Sequence, residues 1–240
     1  MDYPDVLPHD LPKQIADDLF VVHGCVKPAA VVRFTRNMAV VRNNGQLTLI
    51  NPVRMDEAGL KALESLGDVA HVLRLGPMHG MDDAFYVDRY QTEFWAFEGG
   101  KTYTTPAISK PLSEGGALPF ANARVFAFKY MKETEGAILL QQGPGILLTC
   151  DAIQSYATPP HTPHTNWLTR LLMLRIGFPK KTLIGPMWMK LLITDQLGMK
   201  AEFERLMQLE FEQLLAAHGT FLESNAKAEV RQAFDTFFNA

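Results

Sequence analysis

His79 sits in Gly76-Pro77-Met78-His79-Gly80, and the acidic pair Asp82-Asp83 follows it closely. Asp151 ends an apolar run, and His218 stands in Ala217-His218-Gly219. Imidazole nitrogens and carboxylate oxygens are the donors that zinc, iron and manganese accept. Competing chemistries find no support. No serine lies in a glycine-flanked elbow, no lysine sits in a phosphate-cradling loop, and Gly143-Pro144-Gly145 lacks the third glycine of a dinucleotide fingerprint. Each donor also has a structural reading. His79 can cap a strand, either Asp82 or Asp83 can cap a helix, Asp151 can serve a turn, and His218 can sit solvated at a helix end.

The elements that must position these residues are legible as pattern. Val31 to Ile50 is rich in β-branched residues and broken by Asn43-Asn44-Gly45, which predicts a hairpin. Asp56 opens a helical pattern through Leu60, Leu63 and Leu66 that Gly67 closes. Val69 to Leu75 reads as a strand that empties into the His79 loop, and a helix runs through Phe85 and Tyr90. Strands are expected from Arg124 to Phe128, from Ala137 to Gln142 and from Ile146 to Cys150, the last two joined at Gly143-Pro144-Gly145. Helices are expected over Trp167 to Ile176, Met187 to Ile193, Met199 to about Leu215, and Asn225 to Phe238. His79, Asp151 and His218 then all fall at element ends. Cys150 reads as a buried, inert thiol on the opposite face of its strand. Tyr86, Tyr90, Phe94, Trp95 and Phe97 read mostly as core, with Tyr86 or Trp95 as candidate pocket walls.

With 240 residues, 47% of them hydrophobic, one domain over 1–240 is the default. Residues 1–28 read as an amino-terminal extension and 158–198 as a helical insertion or lid. A net charge of −3 without a basic block argues against nucleic acid. Two cysteines and no leader-like amino terminus predict a reducing, cytoplasmic setting. No apolar run reaches the ~20 residues of a membrane helix, so no membrane partner is expected. The best candidate, Leu183 to Ile193, is broken by Gly185, Pro186 and Lys190.

The ordered motifs resemble the metallo-β-lactamase superfamily. That family carries a His-x-His-x-Asp-His loop after a strand, a Gly-His-Thr-Pro-Gly segment, an aspartate after a strand, and a terminal Gly-His-Gly or similar. Leu75 to Ala84, Leu147 to Asp151 and Ala217 to Gly219 follow in that order, and the likeness runs from about Val31 to Phe238. Asn51-Pro52 is similar to a divergent branch. The resemblance implies an α/β fold, the four-layer αββα sandwich. It matches His79 to the loop's first histidine, Asp83 to its aspartate, Asp151 to the bridging aspartate and His218 to the last histidine. Met81 and Ala84 stand where two histidines are expected, and Lys132-Glu133-Thr134-Glu135-Gly136 puts Glu133 at a third.

The resemblance therefore implies a reduced site. His79, Asp83, Asp151 and His218 would hold one divalent ion, zinc, iron or manganese, with Asp83 or Asp82 orienting water for hydrolysis of a small-molecule substrate. The alternative is an inactive scaffold that binds a small molecule or a protein in the old cleft. His161 and His164 lie in a proline-rich loop that either reaches over the site or stays exposed, and residues 158–198 also suit a homodimer contact.

Overall fold

The computed structural model describes residues 3–156, 164–175 and 181–238. Its amino-terminal half is a seven-stranded sheet in sequence order. Strands β1 (Lys13–Ala16), β2 (Leu19–Ala29), β3 (Val32–Asn43) and β4 (Gln46–Ile50) form an antiparallel meander. Asn44 and Gly45 take φ of 51° and 79° between β3 and β4, the two successive left-handed residues that a tight right-twisted hairpin needs. Helix α1 (Glu57–Glu64) then carries the chain to β5 (Asp68–Arg74), parallel to β4. Its first turn is fixed by Asp56 Oδ1, which accepts from Gly59 N at 2.8 Å. Helix α2 (Asp83–Tyr90) leads to β6 (Glu93–Ala96) and β7 (Lys110–Pro111), which continue the parallel half.

The second sheet has four strands in the order β13 (Gln213–Ala216), β10 (Ile146–Thr149), β9 (Gly136–Leu140), β8 (Ala123–Ala127). A short pair, β11 (Ile153–Ser155) with β12 (Thr182–Ile184), lies beyond β10 in sequence. Helices α3 (Trp167–Arg175), α4 (Pro186–Leu192), α5 (Gln196–Leu206) and α6 (Ala226–Phe238) complete the chain.

Two-residue periodicity sorts the apolar side chains into layers. Leu19, Val21, Ala39 and Val41 meet Ile138, Leu140, Ile146 and Leu148 between the sheets. Their alternates Phe20, Val22, Met38 and Val40 face Leu60 and Leu63 of α1 and Phe85 and Tyr86 of α2. On the far side Ala137, Leu139 and Leu147 pack with Phe203 of α5 and Val230 and Phe234 of α6. This is the αββα sandwich, with both faces of each sheet buried, which is why its strands read as nearly unbroken apolar runs.

The structure revises three readings. Residues 13–29, assigned to an extension, are two strands, and Leu19 and Val21 lie in the inter-sheet core. The helix expected to run to Leu215 stops at Leu206, and residues 213–216 form β13. Leu214-Leu215-Ala216 suits either period, and pairing along the open edge of β10 decides it. The four residues of β6, whose Phe94 and Trp95 were read mostly as core with Trp95 a candidate pocket wall, are too few to show a period of their own.

Candidate metal centre

Strand register brings the donors together. β10 and β13 run parallel with Thr149 opposite Ala216, and Ala217 N donates to Thr149 O at 3.0 Å. Two residues further on in each chain stand Asp151 and His218, side by side at the same end of the sheet. His79 arrives from the other sheet, on the loop after β5. That loop is anchored at its root. Asn51, held at φ 51°, accepts from Leu75 N through Oδ1 at 2.9 Å, and Gly136 N donates to Leu75 O across the two sheets at 2.9 Å. Asparagine tolerates the left-handed conformation there better than most residues. The loop's tip is fixed by Arg36, whose Nη2 donates to the His79 carbonyl at 3.0 Å.

Three donor atoms converge. His79 Nε2 lies 3.3 Å from Asp151 Oδ1 and 3.2 Å from His218 Nε2, and His218 Nε2 lies 3.1 Å from the same Oδ1. His79 is 3% exposed, Asp151 5% and His218 5%. His218 Nδ1 sits 2.7 Å from the backbone carbonyl of Thr35, which can only accept. So Nδ1 carries a proton, and whenever the ring is neutral its lone pair is at Nε2. A lone pair, a carboxylate oxygen and a second imidazole nitrogen within 3.3 Å repel one another unless a cation, a second proton or a metal ion, lies among them. Ligand bonds of 2.0–2.1 Å put donors about 3.3 Å apart in a tetrahedron and about 3.0 Å apart in an octahedron, so the residues present fit a metal ion of either preference. The backbone acceptor behind His218 is the outer support that ligating histidines usually have. His79 Nδ1, by contrast, has no partner among the described residues.

Burial lowers the pKa of His79 and favours the neutral, ligating form. For Asp151 burial pushes upward, but positive charge and N–H donation from the His79 and His218 rings outweigh it and hold the carboxyl well below its usual range in the metal-free chain, the place a metal ion would take over from those protons. Cys150 stands closer than its strand position suggested. Its sulfur forms a looser triangle with His79 and Asp151, ligand atoms within 4.8 Å of one another, and burial raises its thiol well above the ordinary range. Glu135, just before β9, is fully buried. Its Oε1 accepts from Ala152 N at 2.6 Å while Oε2 has no hydrogen bond among the described residues. Burial, then the Asp151 charge, raises its pKa well above normal. Gly76 makes room for both: a Cβ there would lie 2.6 Å from Glu135 Oε2 and 2.7 Å from Cys150 Sγ.

No protein-family model and no curated protein matches the sequence. Solved structures do match. A variant flavo di-iron protein from Thermotoga maritima superposes with a TM-score of 0.66 at 16% identity, over 96% of this chain and 62% of that one. The metallo-β-lactamase FIM-1 from Pseudomonas aeruginosa, in its mono-zinc form, gives 0.59 at 10% identity, over 99% of both chains. A metallo-β-lactamase from Pontibacter korlensis gives 0.59 at 10%, over 93% of this chain and 98% of that one. This chain has the metallo-β-lactamase fold. It spans the β-lactamases nearly end to end but about three fifths of the flavo di-iron protein.

Within that fold the structure joins three of the expected ligands and leaves one apart. Asp83 is fully buried and faces Arg74, whose Nε is 3.6 Å away, and it belongs to no metal-sized group among the described residues. Asp82 accepts from Arg36 Nη1 at 2.9 Å and from Arg54 N at 3.0 Å, and it makes no helix-cap bond. Asp82, through Arg36, therefore holds the His79 loop, while Asp83 pairs with Arg74 by charge alone, neither of its oxygens having a hydrogen bond among the described residues. Glu133, aligned with a family histidine, is bound to Lys101 N and Thr102 Oγ1, while Glu135 accepts from the backbone N–H of Ala152, the residue after Asp151. The available signal was position: Glu135 immediately precedes an unbroken apolar strand, as Asp151 follows one. Tyr86 donates to Val53 O in the α2 layer, and Trp95 packs with the inter-sheet core. His164 binds Asp10 Oδ1 at 2.9 Å, and His161 lies outside the described residues.

Proposed function

We propose that this chain is a metal-dependent hydrolase of the metallo-β-lactamase fold with a mononuclear site, one divalent ion held by His79 Nε2, Asp151 Oδ1 and His218 Nε2. The observation that carries it is the 3.1–3.3 Å triangle of buried donors, one of them tautomerically fixed by Thr35. Two nitrogens and one carboxylate oxygen suit zinc, iron or manganese, and three protein ligands are the usual complement of a catalytic zinc site. An ion in that position supplies Lewis acidity toward a carbonyl or phosphoryl group and lowers the pKa of water. The chain's own residues do the positioning. Thr35 orients His218, Arg36 holds His79 by its carbonyl, and Asp82 fixes Arg36. Asp151, kept ionised between two imidazoles, neutralises part of the ion's charge.

A second reading has a specific observation behind it. The three donors are 3–5% exposed and Cys150 lies beside them, which suits an enclosed centre in a non-catalytic scaffold. Elemental analysis of protein purified without added metal, together with a panel of ester, lactone, thioester, phosphodiester and amide substrates, separates the readings. The hydrolase predicts about one metal per chain and a turnover that chelation removes and metal restores. Stoichiometric metal with no turnover selects the enclosed centre, and a metal-free, folded chain refutes both.

A further inference from the structure

Helix α3 is attached to the molecule by its polar residues and turns its apolar ones outward. Thr165 Oγ1 accepts from Thr35 N and Thr169 Oγ1 from Arg33 N, each at 3.1 Å, and Asn166 Nδ2 donates to Val31 O at 2.9 Å. Asn166 Oδ1 also accepts from Thr169 N inside the first turn. Both threonines are buried. Trp167 is 74% exposed, and Leu168, Leu171, Leu172 and Arg175 are exposed on the same stripe, with Val31 exposed at the strand beside it. An ordinary surface helix has the reverse polarity, and a contiguous exposed apolar patch marks an interaction site.

The charge around this helix names the partner. From Ala152 to Thr194 the chain has no aspartate or glutamate, while it carries Arg170, Arg175, Lys180, Lys181 and Lys190, in a protein whose overall charge is −3. Lys181 is bound to Glu229, and the carboxylate nearest the helix start, Asp10, is bound to His164. A second copy docking face to face would set the exposed Arg175 against its own kind with no acid in the segment to meet it. An anionic surface answers both features. No described helix is long and apolar enough to cross a membrane, and α3 has 9 residues, so the helix suits the plane of the interface.

We propose that α3 docks on an anionic lipid bilayer, with Trp167, Leu168, Leu171 and Leu172 entering the headgroup–acyl boundary and Arg175 meeting lipid phosphates. The expectation of no membrane partner rested on spanning segments and does not bear on this mode. The proposal is independent of the metal reading, although Thr35, which holds Thr165 through its N–H, gives its carbonyl to His218. Docking therefore sets the centre beside the lipid surface.

The test is co-sedimentation with vesicles of phosphatidylcholine alone or mixed with phosphatidylglycerol, with tryptophan emission recorded in parallel. The full chain is expected to pellet with the anionic vesicles, to be released by high salt, and to show a blue shift, since Trp167 is the exposed tryptophan. Leu171→Ser with Leu172→Ser should weaken partition about tenfold or more at an unchanged circular dichroism spectrum. If that variant unfolds, the lipid and salt dependence of the natural chain still decides. Absence of anionic-vesicle binding overturns the proposal, as does equal binding by a folded double variant. A dimer in solution that the double variant dissolves, without vesicle binding, gives the face to a second copy and overturns it too.

Discussion

Asp151 and Asp83 are both buried aspartates at the mouths of strand-end loops, yet they meet opposite partners. Asp151 faces two imidazole nitrogens at 3.1–3.3 Å, and Asp83 faces the Arg74 guanidinium at 3.6 Å. A guanidinium is permanently charged, so it offsets part of the cost of burying Asp83 even though neither Asp83 oxygen has a hydrogen bond among the described residues, and its charge disfavours a metal ion there. Neutral imidazoles bring lone pairs, and a carboxylate among them calls for a cation. The same residue type is thus a lock in one place and a ligand candidate in the other, and the partner decides which.

The largest expected effect breaks that comparison at the metal. Asp151→Ala or His218→Ala should reduce bound metal from about one per chain to none, whereas Asp83→Asn should leave it in place, as read by elemental analysis of each purified variant. Loss of metal in Asp83→Asn would return Asp83 to the ligand set. Next is Asp82→Ala, which strips the partner from a guanidinium that is 3% exposed. Leaving such a charge buried costs about 3–5 kcal/mol, readable by urea denaturation. Because Arg36 also holds the His79 carbonyl, metal affinity should fall with it, by about 10–100-fold.

The next effect appears in the pH dependence of stability. Burial raises the Asp83 pKa to about 7 from the ordinary carboxyl value of 3.8, with Arg74 and Arg36 offsetting only part of it. A pKa raised in the folded state means that the folded chain binds the extra proton in this window. Its contribution is fully present below pH 3.8 and is lost as pH rises through about 7. The natural chain should therefore lose roughly 4 kcal/mol relative to Asp83→Asn between those limits, measured as the difference between the two unfolding curves. A difference that stays flat with pH would mean that Arg74 keeps Asp83 ionised throughout.

The α/β class was legible because each sheet buries both faces, so the strands stand out as apolar runs between turns with glycine and asparagine, whereas the αββα layering followed from the resemblance. The donors His79, Asp151 and His218 were legible for a related reason: polar residues directly beyond such runs are held where the sheets end. What was not legible was pairing. Arg74 and Asp83 are joined by the path of one loop, Arg36 and Asp82 by a contact from β3 to the start of α2, and nothing in either's local sequence shows which aspartate will meet an arginine. The choice between Glu133 and Glu135 was hidden for a different reason. Two residues apart at the start of a strand, they differ only in which way the chain has turned before the pleat begins, and motif alignment selected the half-buried one rather than the buried one.

Glu135 is the third carboxylate of the comparison, and it has neither kind of partner. It meets no arginine, and its Oε2 has no hydrogen bond among the described residues, while Oε1 accepts from Ala152 N. Burial, then the Asp151 charge, raises its pKa well above normal, which favours the neutral acid in the metal-free chain. Glutamine has nearly the same shape and keeps the amide acceptor for Ala152 N. Glu135→Gln should then change stability by only about 1 kcal/mol or less and leave metal stoichiometry unchanged, the smallest effect of the series. Metal lost from a variant that melts like the natural chain would show that Glu135 ionises when the ion binds, which would place it with Asp151 as a ligand and enlarge the centre to four residues.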